Sequence, residues 1–76
     1  MSGSENWSQE ESGWVCNASL LGWHPGQIPV QVQTPAGIVA REQWLPFSAH
    51  GCDAADREII GWRCRLGLVT ITVFNI

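Results

Sequence analysis

The chain has 76 residues with no lysine, four arginines and seven acidic residues, which give a formal net charge of −3. That length suffices for one domain at most, in which five Trp residues supply much of the apolar area of a small core. Binding to nucleic acid rests on many lysines and arginines that neutralise phosphates, so we expect no nucleic-acid partner. A deep catalytic cleft within one chain this small is not expected, so a functional site should lie on the surface or between subunits.

The cysteine content and the N-terminal residues indicate the compartment. Cys16, Cys52 and Cys64 form an odd set, and the polar, acidic N-terminus lacks the basic start and apolar core of a signal peptide. This combination argues against a disulfide framework and favours free thiols. No segment reaches the ~20 apolar residues that span a bilayer, so we expect no membrane partner. The sequence therefore predicts a cytoplasmic protein.

Residues 1–12 are predicted to form a disordered acidic tail, because Ser, Glu, Gln, Asn and Gly dominate them. Trp7 admits two interpretations: a loose side chain, which we favour, or an anchor that docks the tail onto its own domain or a neighbour. Residues 13–76 are predicted to form a single small β domain. It begins with an uncharged segment at residues 14–23 that fits a strand or an extended entry.

Two turn sequences bracket a predicted hairpin in the middle of the chain. His24-Pro25-Gly26-Gln27 precedes residues 28–33, which alternate apolar and polar residues with the period of a half-buried strand. Thr34-Pro35-Ala36-Gly37 then leads into a return strand over residues 38–44. Residues 45–52 have a loop-like composition, and residues 53–57 fit either one helical turn or an irregular loop.

The strongest β pattern lies at residues 58–65 and 68–74, which are predicted as adjacent strands joined by a turn at Gly67. In the first strand, one face carries apolar residues and the other carries two arginines: Ile60, Trp62 and Cys64 against Gly61, Arg63 and Arg65. The second strand is uncharged and β-branched, so we expect it at the centre of the sheet or paired across a dimer interface. The sequence thus predicts an all-β fold, a small antiparallel sheet or partly closed barrel of four or five strands.

An ordered set of landmark residues runs from Trp23 to Arg63: Trp23, Gly26, Pro29, Val30, Val32, Gly37, Trp44, His50-Gly51 and Glu58-Ile59-Ile60-Gly61-Trp62-Arg63. This order resembles that of small proteins encoded by tailed phages and prophages. Those proteins show Trp, Gly-x-x-Pro-Val, a strand, a Gly turn, a Trp and a closing Asp-Ile-Ile-Ala-Tyr-Arg. The chain departs from their pattern at Glu58, Gly61 and Trp62, and it continues into a further strand. The resemblance implies a phage or mobile-element origin, hence the host-cell cytoplasm, and a small β-fold. It implies no activity.

Residue types that bind zinc or act as nucleophiles are present: Cys16, His24, His50, Cys52 and Cys64. Structural zinc sites use closely spaced ligand pairs such as Cys-x-x-Cys, and here only His50-Gly51-Cys52 is close. We therefore predict no metal site and no cofactor. A Cys52 nucleophile with His50 as its base is also disfavoured, because Arg57 is the only nearby cation that could lower the thiol pKa.

An enzyme assembled from several copies is the alternative interpretation. The chain length and residues 30–33, Val-Gln-Val-Gln, are loosely similar to the type II dihydrofolate reductases, SH3-like barrels that form one active pore from four subunits. That family uses a Val-Gln-Ile-Tyr strand and a Lys, whereas this chain has Gln33 at the Tyr position and neither Tyr nor Lys. What stays open is a homo-oligomer with a small-ligand or enzymatic site at a subunit interface.

We predict a non-enzymatic protein–protein interaction module that binds another protein or copies of itself. Trp and Arg are strongly enriched at interface hot spots. On that basis the predicted contact residues are Arg63, Trp62, Trp44, Trp23 and Arg41. Because a small β domain also needs aromatic residues in its core, we expect two or three of the five Trp residues to be buried and at least one exposed.

Overall fold

The computed structural model describes residues 6–24, 26–48 and 59–76. Its strands, in chain order, are β1 (Ser8–Gln9), β2 (Gly13–Asn17), β3 (Gln31–Thr34), β4 (Gly37–Ala40), β5 (Leu45–Ser48), β6 (Ile59–Leu66) and β7 (Val69–Phe74). Short 3-10 helices at Ala18–Leu21 and Arg41–Gln43 accompany them. The prediction of an all-β domain is confirmed. Within the described ranges, no helix has the length and apolar character needed to cross a membrane.

Five strands form one open sheet in the order β1-β2-β7-β6-β5, so the predicted number of strands is confirmed. Three of its four strand pairs are antiparallel, but β2 and β7 run parallel, with Gly13 opposite Thr70. The sheet is therefore mixed rather than wholly antiparallel, and it does not close into a barrel. A parallel pair needs a long crossover connection, which the segment containing the β3–β4 hairpin supplies.

The C-terminal strand lies at the centre of this sheet. This is one of the two arrangements predicted for it, the other being a dimer interface. β7 pairs with β2 on one side and with β6 on the other. Its residues Ile71 and Val73 are completely buried. The predicted turn between β6 and β7 is confirmed at Gly67, which has a φ of 66° that favours glycine.

The predicted middle hairpin is also confirmed, as a separate two-stranded sheet of β3 and β4. The Thr34 hydroxyl stabilises the tight turn, because it donates to the carbonyl oxygen of Gly37 at 2.7 Å and accepts from the N–H of Ala36 at 3.1 Å. The strands are shorter than predicted. The first begins only at Gln31, and the return strand ends where the 3-10 helix at Arg41 begins.

The core lies between one face of the large sheet and the β3–β4 hairpin. Its buried apolar residues are Trp7, Cys16, Ala18, Val32, Val39, Trp44, Trp62, Cys64, Ile71 and Val73. Three of the five Trp residues are thus buried, as predicted. Trp14 and Trp23 are half-buried and pack against the cluster, so the expectation of an exposed Trp is wrong. A core this small draws all five indole rings into it or against it.

The described part of the predicted tail, residues 6–12, is packed onto the domain. Trp7 is buried, and Ser8 and Gln9 pair with Val15 and Trp14 of β2. The anchoring interpretation of Trp7 is therefore the one the structure shows, and the tail interpretation fails for these residues. Burial of one indole together with strand pairing at the sheet edge offsets the ordering entropy of the polar neighbours. Residues 1–5 lie outside the described residues.

The prediction of a loop at residues 45–48 is wrong, because Leu45–Ser48 forms edge strand β5 against β6. The segment is short and contains Pro46, so its own sequence does not favour a strand. The pairing with β6 stabilises the extended conformation. Residues 49–52 and the predicted helical turn at residues 53–57 lie outside the described residues.

Candidate functional site

The face of the five-stranded sheet opposite the core is here called the outer face. The register places two rows of side chains on it: Leu45, Arg63 and Thr72 in one row, and Phe47, Gly61 and Phe74 in the next. Directly opposed residues on neighbouring strands point to the same side of the sheet, so these six residues share one surface.

Two phenylalanine rings meet over a glycine at the centre of the outer face. Gly61 lies opposite Phe47 on one side and Phe74 on the other. The rings contact each other edge to face, with centroids 6.0 Å apart. An ideal Cβ on Gly61 would lie 2.8 Å from the Phe47 ring, so only glycine allows the ring to lie this close to the strand.

Arg63 completes the cluster, which we call the aromatic platform and which consists of Phe47, Gly61, Arg63 and Phe74. The Arg63 guanidinium lies over the Phe47 ring, 4.3 Å from its centroid, in the geometry of a cation–π contact. The arginine itself remains exposed. Stacking orders a side chain that would otherwise sample many rotamers, so less entropy is lost when a partner binds it.

The platform carries positive charge and exposed apolar surface together. Arg65, two residues along β6, is exposed on the same side, and Leu45 beside Arg63 is 68% exposed. The cross-strand neighbours of the two arginines are neutral: Leu45, Thr72 and Thr70. None of the outer-face positions on the described strands is acidic.

Two of the predicted contact residues belong to the core instead. Trp62 is 6% exposed and Trp44 is 5% exposed. Both belong to the buried apolar cluster of the core. Trp23 packs on both rings, at centroid distances of 6.0 Å to Trp44 and 5.8 Å to Trp62. Trp62 and Trp44 therefore lie in the core and present almost no surface to a partner, and the half-buried Trp23 packs against both.

Arg41 is exposed but makes a structural contact. Its Nε donates to the carbonyl oxygen of Ile28 at 2.8 Å, and its backbone N–H donates to Val30 at 2.9 Å. These bonds tie the segment before β3 to the helix after β4. Arg41 thus lies outside the aromatic platform. Of the five predicted contact residues, the platform contains Arg63 alone.

The indole of Trp44 has an unusual environment. Its Nε1 is buried and has no hydrogen-bond partner among the described residues. A buried N–H that lacks an acceptor costs about 1–3 kcal/mol relative to a paired one. Trp44 therefore contributes to the core through the packing of its ring and not through its polar atom.

The thiols and imidazoles considered for chemistry are not assembled into a site among the described residues. Cys16 and Cys64 are buried and free, and burial raises the pKa of both thiols. A raised pKa lowers the thiolate fraction and hence the reactivity of both. His24 is exposed, whereas His50 and Cys52 lie outside the described residues. No group of three or more metal-ligand side chains occurs in the described part of the chain.

Sequence reasoning missed Phe47, Phe74, Leu45 and Arg65 as site residues. Phe47 and Leu45 were assigned to a loop, and Phe74 was included only as the last residue of the predicted strand 68–74. The sequence signal for these residues is Gly61, a glycine among the large side chains of β6. A glycine inside a strand marks a position where a neighbouring ring can approach the backbone. That signal becomes specific only when the partner strands and their register are known.

Gly61→Ala is expected to lower the free energy of unfolding by about 1–3 kcal/mol, since the new methyl group overlaps the Phe47 ring and the Val73 carbonyl oxygen. The ring must move, and the contact with Arg63 is lost. Urea denaturation measured by Trp fluorescence checks the value.

The matched control for Gly61→Ala is a double-mutant cycle with Phe47→Ala. Removal of the ring should make Gly61→Ala less destabilising by about 1 kcal/mol, because one of its two clashes disappears. Strictly additive effects would show that the Phe47 ring does not lie over Gly61.

Comparisons of this chain with protein-family models, with curated proteins and with solved structures give no match.

Proposed function

We propose that this protein is a non-enzymatic protein-binding module whose contact surface is the aromatic platform together with Leu45 and Arg65. The observation that carries the proposal is the Arg63 guanidinium held 4.3 Å from the centre of the Phe47 ring beside a 68% exposed leucine. Arginine and aromatic residues in a pre-ordered cluster are the typical composition of an interface hot spot.

The sheet edge is a less suitable contact surface than the outer face. Pro46 is exposed on edge strand β5 and has no N–H to donate to an added strand. At the other edge, β1 is only two residues long. Both edges thus carry features that oppose pairing with another chain, and a partner is better accommodated on the face.

The resemblance of residues 23–63 to small tailed-phage and prophage proteins supports a biological setting for this binding. In that setting the protein is an accessory factor of a mobile element that acts on a protein in the cytoplasm of the host cell. The net charge of −3 favours solubility. Solubility suits a factor that acts by binding a large share of its target protein.

The test is quantitative capture of proteins from a bacterial lysate on immobilised chain, with surface variants in pairs. Arg63→Gln combined with Leu45→Ala should reduce retention of the specific partner about 10-fold, because both changes remove hot-spot atoms. The matched control combines Arg41→Gln with Leu68→Ala. It makes the same chemical changes at exposed positions outside the outer face, Leu68 being 91% exposed in a turn.

Retention that the platform variant and the control variant reduce equally would contradict the proposal. So would a homo-oligomer in native mass spectrometry that captures no other protein. The interaction should be repeated with the purified partner, so that loss of retention reports a direct contact.

A further inference from the structure

We infer that the segment bound by the aromatic platform is acidic and extended, with carboxylates that face Arg63 and Arg65 and an apolar side chain that covers Leu45 and Phe47. This inference rests on the proposed function and specifies the chemistry of the partner.

The spacing of the two arginines favours an extended partner. Arg63 and Arg65 are alternate residues of β6 on the same face, and alternate positions in a strand are about 7 Å apart. Carboxylates at alternate positions of an extended peptide have the same spacing. The fixed plane of the Arg63 guanidinium suits bidentate pairing with a carboxylate.

The distribution of charge also favours an acidic partner. The chain has four basic and seven acidic residues, so without Arg63 and Arg65 the remainder carries two arginines against seven carboxylates, or −5. On the described strands, the outer face thus carries positive charge on a negative molecule. Such a surface attracts acidic segments and repels basic ones, which sets the choice of partner.

A second copy of the chain is a poor occupant of the same surface. A twofold contact would place two outer faces together and bring four arginines into one interface that contains no acidic side chain from the described strands. Single-stranded nucleic acid could also stack on the rings, but its phosphates require far more cations than this chain holds.

The experiment is selection of a random peptide library on the full chain, with counter-selection against the Phe47→Ala variant. Enriched peptides should contain about twofold more Asp and Glu than the unselected library, at alternate positions beside an aromatic or aliphatic residue. Binding of a selected peptide should weaken about 5-fold with Arg65→Gln and remain unchanged with Arg41→Gln, its charge-matched control. It should also weaken as ionic strength rises.

The outcomes separate the two proposals. Peptides that require Phe47 but show no surplus of acidic residues would overturn the acidic partner and leave the protein-binding face intact. If no peptide prefers the unmodified chain over Phe47→Ala, both proposals fail. Tighter binding of a labelled oligothymidylate than of any selected peptide would overturn the inference in favour of nucleic acid.

Discussion

Gly13→Ala is expected to remove a large part of the free energy of unfolding. A methyl group at Gly13 would overlap the carbonyl oxygen of Thr70 and lie 2.7 Å from the backbone nitrogen of the same residue. Both are backbone atoms of the central strand, so neither can move without breaking the β2–β7 pairing. We expect a loss of at least about 3 kcal/mol from a total stability of roughly 5–10 kcal/mol.

The matched control for Gly13→Ala is the same change at Gly67. That residue has a positive φ of 66°, and no atom would lie within 4 Å of an added Cβ. Its substitution should therefore cost only the backbone strain of a left-handed alanine, about 1–2 kcal/mol. Urea denaturation followed by circular dichroism gives both values. Equal effects at the two positions would show that β2 does not approach β7 at Gly13.

Trp62→Ala and Trp44→Ala are each expected to lower the free energy of unfolding by about 3–5 kcal/mol, because each removes a buried indole and leaves a cavity. Both rings pack against Trp23, so loss of either also removes an aromatic contact. In binding assays these variants should lose activity in proportion to the unfolded fraction. Thermal and urea denaturation measure the effect, and partner affinity at low temperature separates folding from contact.

Trp44→Phe is the sharper variant, because it removes the unpaired Nε1 and keeps most of the ring. It should cost well under half as much as Trp44→Ala, since the loss of packing is partly offset by the removal of a buried unsatisfied donor. Leu20→Ala, at a residue that is 55% exposed, should change stability by less than about 0.5 kcal/mol. A Trp44→Phe variant that is as unstable as Trp44→Ala would mean that the indole nitrogen is paired.

The two C-terminal strands and the middle hairpin could be predicted because their information is local. Ile60, Trp62 and Cys64 alternate with polar or small residues at the period of a strand, and Gly67 sits where the chain must reverse. The uncharged, β-branched sequence of β7 also indicated either a central position or a dimer interface, since it would invite aggregation at an exposed edge, and the structure shows the first.

The remaining elements depend on contacts between distant parts of the chain. Leu45–Ser48 is a strand because β6 lies beside it, and β2 runs parallel to β7 because a long crossover brings it there. Trp7 illustrates a limit of composition. Averaged over the composition of residues 1–12, a single Trp carries little weight, yet its indole is buried and the neighbouring residues pair with the sheet.

The same distinction applies to the candidate site. Arg63 could be assigned to a polar face from its alternation alone. Phe47 and Phe74 could not be placed beside it, because their proximity depends on Gly61 and on the register of three strands. The core positions of Trp62 and Trp44 could not be predicted, because Trp is frequent both in interfaces and in small cores and residue type alone does not separate the two locations.

The position of β7 bears on how the protein is made. A ribosome synthesises β2, the hairpin, β5 and β6 before the strand that joins β2 to β6 in the sheet. Until β7 is synthesised, β2 and β6 lack the strand that lies between them in the sheet. The indole rings of the future core stay in contact with solvent during that time. Sheets that depend on such distant pairings form slowly. Folding is thus expected to begin after translation of this segment is complete, and the newly made chain is a natural client for chaperones.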